Sequence, residues 1–121
     1  MTLQELYVEI GGDYAEVRGR LPSDKFIQKF VLKFVDDKSY ELLLSSLEQG
    51  NGEEAFRAAH TIKGMCQNLG FTMLMDSSSQ LTEALRGGSL TPEAGPLAEK
   101  VKEDYEKTVG AIRAFQEGLA T

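Results

Sequence analysis

The run from Asn51 to Gly70, NGEEAFRAAHTIKGMCQNLG, constrains the fold most, because its apolar residues recur with the period of an α-helix. Asn51 is a suitable N-cap, with Glu54 in capping-box spacing, and Gly70 is a suitable helix end. On a helical wheel, an apolar stripe lies about 140° to 260° from His60, and it contains Ala55, Ala58, Ala59, Ile62, Met65, Cys66 and Leu69. The run therefore predicts a helix that presents His60, the only histidine, to solvent.

The remaining segments show the same helical period, and none alternates as a strand does. Four amphipathic helices with short connections favour an all-α, antiparallel four-helix bundle over about residues 24–118. Residues 1–21 contain two short helical pieces that must pack on the bundle as accessory helices, since such pieces are not stable alone. The chain, residues 1–121, is long enough for a single domain with one core.

The faces and ends of the other helices can also be predicted. Ser23 is expected to cap a helix in which three phenylalanines on one apolar face make a major contribution to the core. The residues of this face are Phe26, Ile27, Phe30, Val31, Phe34 and Val35. The segment after this helix either begins anew, with Asp37 as its cap, or continues through a kink.

Two further helices are predicted to begin in the second half of the chain. Thr72 is expected to cap the helix that follows Gly70. Thr91-Pro92 is expected to open the last helix. Because Gly95-Pro96 interrupts its first turn, Pro96 is an alternative start for the regular helix.

Charge and composition exclude several classes of function. The net charge of −6 argues against binding to nucleic acid or to an anionic membrane surface. No apolar run approaches the roughly 20 residues of a membrane span. Cys66 is the only cysteine, so no internal disulfide can form, and we expect a reduced, cytoplasmic protein.

The face around His60 has an unusual composition. Glycine within a helix costs about 1 kcal/mol relative to alanine, so Gly64 indicates either clearance for a partner or a tolerated chance glycine. Phe56, an aromatic residue near His60, either anchors a partner or is half-covered by a neighbouring helix or by the N-terminal pieces. Besides the histidine, the residues of this face include Phe56, Arg57, Lys63, Gly64 and Gln67.

The same residues argue against several enzymes. No carboxylate lies three or four positions from His60, and Arg57 replaces the glutamate of a Glu-x-x-His di-iron motif. One histidine and one cysteine argue against a zinc site, which is usually built from three or four such ligands. No glycine-rich phosphate loop is present, so the chain is not expected to act as a kinase by itself. His60 would have to receive a phosphoryl group from another protein.

The stretch AAHTIKGMCQNLGF, continuing to LTEALR, closely resembles the histidine phosphotransfer (HPt) domains of bacterial multistep phosphorelays. The resemblance covers about residues 24–86, and the last helix fits by general character. Its core is a His-x-x-Lys-Gly motif followed by a glycine six residues on, and the residues in register are His60, Lys63, Gly64, Leu69 and Gly70.

The resemblance implies a four-helix bundle and phosphoryl transfer between His60 and an aspartate of a receiver domain. Lys63 then resembles the lysine that stabilises the phosphate, and Gly64 the small residue that admits the receiver. The receiver supplies the aspartate and Mg²⁺, so the chain is expected to have no cofactor or metal of its own. The implied partner is the receiver of a response regulator or a hybrid histidine kinase, and we expect a monomer.

Other residues are candidates for contact with that partner. Phe56, Arg57 and Gln67 lie near the histidine on the wheel. Thr82 occupies the position at which many HPt domains carry a glutamine bonded to the active imidazole. Arg86, one turn later, is a candidate phosphate or receiver contact, or else a solvated arginine of the last helical turn.

Two other functions remain open on the sequence. The first is an adaptor, a helical bundle that docks a signalling partner through the Phe56–Gly64 face without phosphotransfer. The second is a helical metal or redox protein that uses Cys66. The phosphocarrier accounts for the histidine, the lysine and the glycine together.

Overall fold

The computed structural model describes residues 1–119, and all of their regular structure is helical, which confirms the all-α prediction. The last two residues of the predicted domain, Ala120 and Thr121, lie outside the described residues. Within residues 1–119, seven helices follow one another: α1 (Leu3–Glu9), α2 (Tyr14–Arg20), α3 (Asp24–Asp36), α4 (Ser39–Glu48), α5 (Gly52–Leu69), α6 (Thr72–Leu85) and α7 (Ala94–Leu119).

The helix α5 lies at the centre of this arrangement. It packs against α4 and α6 and touches α3, while α7 packs on α6 and contacts α1 and α3. The predicted apolar stripe of α5 is buried with the exception of Met65, which is half-buried. His60 lies on the opposite, exposed side. The predicted orientation of the helix is therefore confirmed.

Both ends of α5 lie where the sequence predicts, but only one half of the capping box forms, because the Asn51 N–H donates to the carbonyl of Ser46 and the Glu54 side chain binds Arg57. The Asn51 side-chain oxygen accepts a hydrogen bond of 3.1 Å from the backbone N–H of Glu54. Gly70 adopts a left-handed conformation with φ of 70°, which terminates the helix and which other residues adopt only with strain. A Cβ atom at Gly70 would also lie 2.8 Å from the carbonyl oxygen of Asp13.

Arg20 of α2 binds the carboxyl-terminal end of α5. Its Nη2 donates to the carbonyl oxygens of Gln67 at 3.0 Å and Asn68 at 2.7 Å, while Nη1 binds Glu16 at 2.6 Å. These carbonyls belong to the last turn, where a helix leaves its acceptors without internal partners. A positive charge at this end also interacts favourably with the helix dipole.

Two more donors from the N-terminal segment complete this end of α5. The Tyr7 hydroxyl donates to the carbonyl oxygen of Leu69 at 2.6 Å in a buried position. The backbone N–H of Asp13 donates to the carbonyl oxygen of Gly70 at 2.7 Å. Burial raises the pKa of the Tyr7 hydroxyl, so it stays protonated as a donor. Residues 1–21 thus hold the end of the histidine-bearing helix.

The predicted core stripe of α3 is only partly buried. Phe34 is 3% exposed, whereas Phe26 is 48% and Phe30 39% exposed. Residues four apart are offset by about 40° around a helix, so a stripe of three winds away from the core. Ile27 and Val31, which belong to the same predicted face, are buried, whereas the prediction that Phe26 and Phe30 lie in the core was wrong.

A break separates α3 from α4, so the alternative of one kinked helix is wrong. The Asp37 side chain accepts a hydrogen bond of 2.7 Å from the backbone N–H of Ser39. The N-cap position itself is occupied by Lys38, two residues after the end of α3.

Two predicted helix starts are shifted. Phe71, not Thr72, is the N-cap of α6, and its buried aromatic ring packs against Tyr7 and Phe34. The helix α7 begins at Ala94 and continues through Pro96. Proline is tolerated there because the first N–H groups of a helix have no internal acceptor.

Replacement of Tyr7 by phenylalanine tests the cap on α5. Tyr7→Phe removes the donor to the buried carbonyl of Leu69, so the free energy of unfolding should fall by about 1–3 kcal/mol in urea titrations. Tyr14→Phe is the matched control, because its hydroxyl binds the exposed Asp24, and its loss should cost less. Equal losses in the two variants would contradict the proposed importance of the cap.

Candidate functional site

His60 lies in the middle of α5 with its imidazole exposed to solvent. Its ring contact is Phe56, one turn earlier, with ring centroids 6.0 Å apart and planes inclined by 37°. Within residues 1–119, no side chain hydrogen-bonds to the imidazole nitrogens. A ring nitrogen is therefore accessible to a large partner.

A shallow hollow of about 530 Å³ opens beside the imidazole. Arg86, the C-cap residue of α6, reaches over the half-buried Phe56, with its guanidinium carbon 5.3 Å from the ring centre. This separation is typical of a cation–π contact. The hollow brings His60 together with three predicted partner contacts, Phe56, Arg57 and Arg86. Thr61, which was not predicted as a site residue, also lines it.

Both arginines of the hollow form ion pairs. Arg57 binds Glu54 at 2.6 Å, and Arg86 binds both carboxylate oxygens of Glu83, at 2.7 and 3.1 Å. The hydrogen bonds from Arg86 lower the pKa of the Glu83 carboxyl. All four side chains are at least one third exposed, so these pairs contribute little to stability. Their charges are nevertheless offset in the unphosphorylated protein.

Lys63 lies one turn after His60 and is half-buried. It forms no ion pair within 4 Å in the described part of the chain, but its charge contributes to lowering the pKa of Glu83. The ammonium group is therefore near the histidine face and is not engaged in a close ion pair. Such a group can bind an anion placed on His60.

The structure gives no internal reason for glycine at position 64. A Cβ atom on Gly64 would meet nothing within 4 Å, and Gly64 is not among the glycines with positive φ. The two interpretations from the sequence, clearance for a partner and a tolerated glycine, therefore both stay open.

Gln67 and Thr82 lie outside the hollow. Gln67 is exposed two turns beyond His60. Thr82 is fully buried, and its hydroxyl donates to the carbonyl of Ser78 at 2.7 Å. The prediction of Thr82 as a partner contact is thus wrong, because a buried side chain cannot touch a docked protein and its proton is already used.

Cys66 lies in the core, and burial raises the pKa of its thiol. In the described residues, no group of three or more His, Cys, Asp or Glu side chains is placed to hold a metal ion. These observations lend no support to the metal or redox alternative. Separately, none of the described helices has the length and apolar character needed to cross a membrane.

Glu54 and Glu83 are site residues that the sequence reasoning missed. Each stands three positions before an arginine that it binds, Arg57 and Arg86. This spacing places the two side chains on one helical face, so the pairs were visible as a pattern. The position of Arg86 over Phe56 depends on how α6 packs on α5 and has no local signal.

The family comparison agrees with this geometry. The Hpt domain model matches residues 37–115, which run from just before α4 to Phe115 in α7, and the chain belongs to this family. Neither the curated proteins nor the solved structures that were compared gave a match. Membership implies phosphotransfer in two-component signalling and interaction with receiver domains.

Substitution of Gly64 by alanine tests whether the fold needs this glycine. Because the added methyl group meets no atom, Gly64→Ala should raise the free energy of unfolding by about 0.5–1 kcal/mol. Gly110→Ala in α7 is the control, since that position is equally open, and it should give a similar gain in urea titrations. A loss of stability only at Gly64 would show that the fold itself requires the glycine.

Proposed function

We propose that this protein carries a phosphoryl group on His60 between the aspartates of receiver domains in a phosphorelay. The observation that carries the proposal is the exposed imidazole of His60, with Lys63 and Gly64 on the same helical face. All three residues lie within the part of the chain that matches the Hpt family. The chain contributes a positioned nucleophile, and no ATP-binding motif accompanies it.

The transfer requires little chemistry from this chain. The lone pair of a neutral imidazole nitrogen forms a bond to phosphorus, and the bond between phosphorus and the aspartate oxygen breaks. The electron pair of that bond stays on the aspartate as a carboxylate. The reverse exchange passes the group onward to a second aspartate. In this proposal the receiver provides Mg²⁺, and the chain binds no cofactor.

Lys63 and Gly64 have complementary roles in the proposal. The ammonium group of Lys63 forms a charge-assisted hydrogen bond with the phosphoryl oxygens and offsets their charge. Gly64 leaves room for the receiver backbone beside His60. Phe56 and Arg57, which line the hollow, and the exposed Gln67 are the proposed receiver contacts. The receiver belongs to a response regulator or a hybrid histidine kinase.

The finer architecture is part of the same proposal. About residues 24–118 form an antiparallel four-helix bundle, with residues 1–21 as accessory helices of one domain. The packing of α5 against α4 and α6, and of α6 against α7, supports this arrangement. On the same hypothesis, we predict that the protein is a monomer and that it lies in the cytoplasm.

The proposal predicts an acid-labile phosphoryl group on this protein after incubation with a phosphorylated receiver domain. His60→Gln should abolish the label. Lys63→Ala should slow transfer about 10- to 100-fold, since a hydrogen bond to a charged group contributes about 1.5–3 kcal/mol. Because Lys63 lies outside the buried stripe of α5 and forms no close ion pair in the described residues, the same variant should unfold with a free energy within about 0.5 kcal/mol of the unsubstituted protein.

The adaptor alternative makes a different prediction for His60→Ala. An adaptor would keep its partner function in His60→Ala and would lose it in Gly64→Gln, which obstructs the docking face. A phosphocarrier loses function in both variants. Equal labelling of His60→Gln and the unsubstituted protein would overturn the phosphocarrier.

A further inference from the structure

Arg86 lies beside His60 but is bound to another group. It lines the same hollow as the imidazole, and its guanidinium lies 5.3 Å from the centre of the Phe56 ring. Phe56 in turn has its ring centroid 6.0 Å from that of His60. The hydrogen-bonding edge of the guanidinium is occupied by both carboxylate oxygens of Glu83. The cation is thus held near the nucleophile, and two of its N–H donors, on Nε and Nη2, are engaged by Glu83.

We propose that Arg86 is a second phosphate-binding residue and that Glu83 competes with the phosphoryl group of His60 for it. The inference rests on the proposed function, since it concerns the state in which His60 is phosphorylated. In that state Arg86 leaves Glu83 and binds the phosphoryl oxygens, while Phe56 keeps the guanidinium over the hollow. Glu83 is a positioning residue that weakens phosphoryl binding.

The exchange of partners is energetically inexpensive. The side chains of Glu83 and Arg86 are 59% and 58% exposed, and exposed ion pairs of this kind are weak. A phosphoryl group carries up to about two negative charges and three acceptor oxygens, and a guanidinium can bind it through two parallel hydrogen bonds. The contact between the guanidinium carbon and the Phe56 ring uses none of the N–H donors, so either anion can bind them.

A second effect of Glu83 acts in the same direction. After the hydrogen bonds and the charge of Arg86, the positive charge of Lys63 also contributes to the lowered pKa of the Glu83 carboxyl. A phosphoryl group held by Lys63 would therefore meet the negative charge of Glu83 as well. Arg57 is paired with its own carboxylate, Glu54. Within the described residues, Lys63 is therefore the cation of this face with no carboxylate within 4 Å.

Phosphoramidate, a small phosphoryl donor, tests the inference without a receiver. In this reaction the phosphorus–nitrogen bond of the donor breaks, ammonia leaves with the electron pair, and the lone pair of the His60 nitrogen forms the new bond to phosphorus. At fixed concentrations of phosphoramidate and ammonia, the ratio of phosphorylated to free protein is measured by intact mass under alkaline conditions. Because no receiver is present, a change in this ratio cannot arise from docking.

Glu83→Gln should raise the ratio roughly 3- to 10-fold at low salt, and Arg86→Gln should lower it by a similar factor. In the Arg86→Gln background, the effect of Glu83→Gln should shrink markedly, because the competition is lost. The difference between Glu83→Gln and the unsubstituted protein should also shrink at about 0.5 M salt, since both groups are exposed. A purely structural effect would not show this salt dependence.

Glu41→Gln is the matched control. Glu41 also forms an exposed ion pair three positions from a lysine, Lys38, but it lies on α4 and does not line the hollow. It should leave the ratio unchanged. Equal ratios for Glu83→Gln, Glu41→Gln and the unsubstituted protein would overturn the inference alone. Absence of phosphoryl uptake by the unsubstituted protein would overturn the proposed function together with the inference.

Discussion

Burial of the small-residue stripe of α5 determines the direction in which His60 points. The alanine residues and Ile62 of α5 are almost completely excluded from water, and the helix packs against α4 and α6. Rotation of the helix that buried His60 would expose this apolar surface and desolvate a polar ring. The exposure of the imidazole is therefore a consequence of core packing. The hollow beside it is lined by Arg57 and Arg86.

The carboxyl-terminal end of the same helix depends on residues distant in the chain. Tyr7, Asp13 and Arg20 supply donors to its last carbonyl groups. These residues lie outside the range matched by the Hpt family, 37–115. The N-terminal helices thus complete the hydrogen bonding of α5 at one end, while the histidine face remains open. The N-terminal helices therefore bind the last turn of α5 without covering His60.

Local signals in the sequence predicted much of this structure. The period of the apolar residues gave the helices and the exposure of His60, and Asn51 and Gly70 gave the ends of α5. Features set by packing between distant segments were not predicted. The exposure of Phe26 and the burial of Thr82 depend on how neighbouring helices cover a face. The contact of Arg86 with Phe56 likewise joins two helices.

The central claim is that a nitrogen of His60 bears the phosphoryl group. The most direct measurement is a ¹H–³¹P correlation spectrum of the protein after reaction with a phosphorylated receiver domain. We predict a phosphoramidate signal whose phosphorus couples to the ring protons of His60. A phosphorus signal coupled to another side chain, or a spectrum without protein-bound phosphorus, would contradict the account.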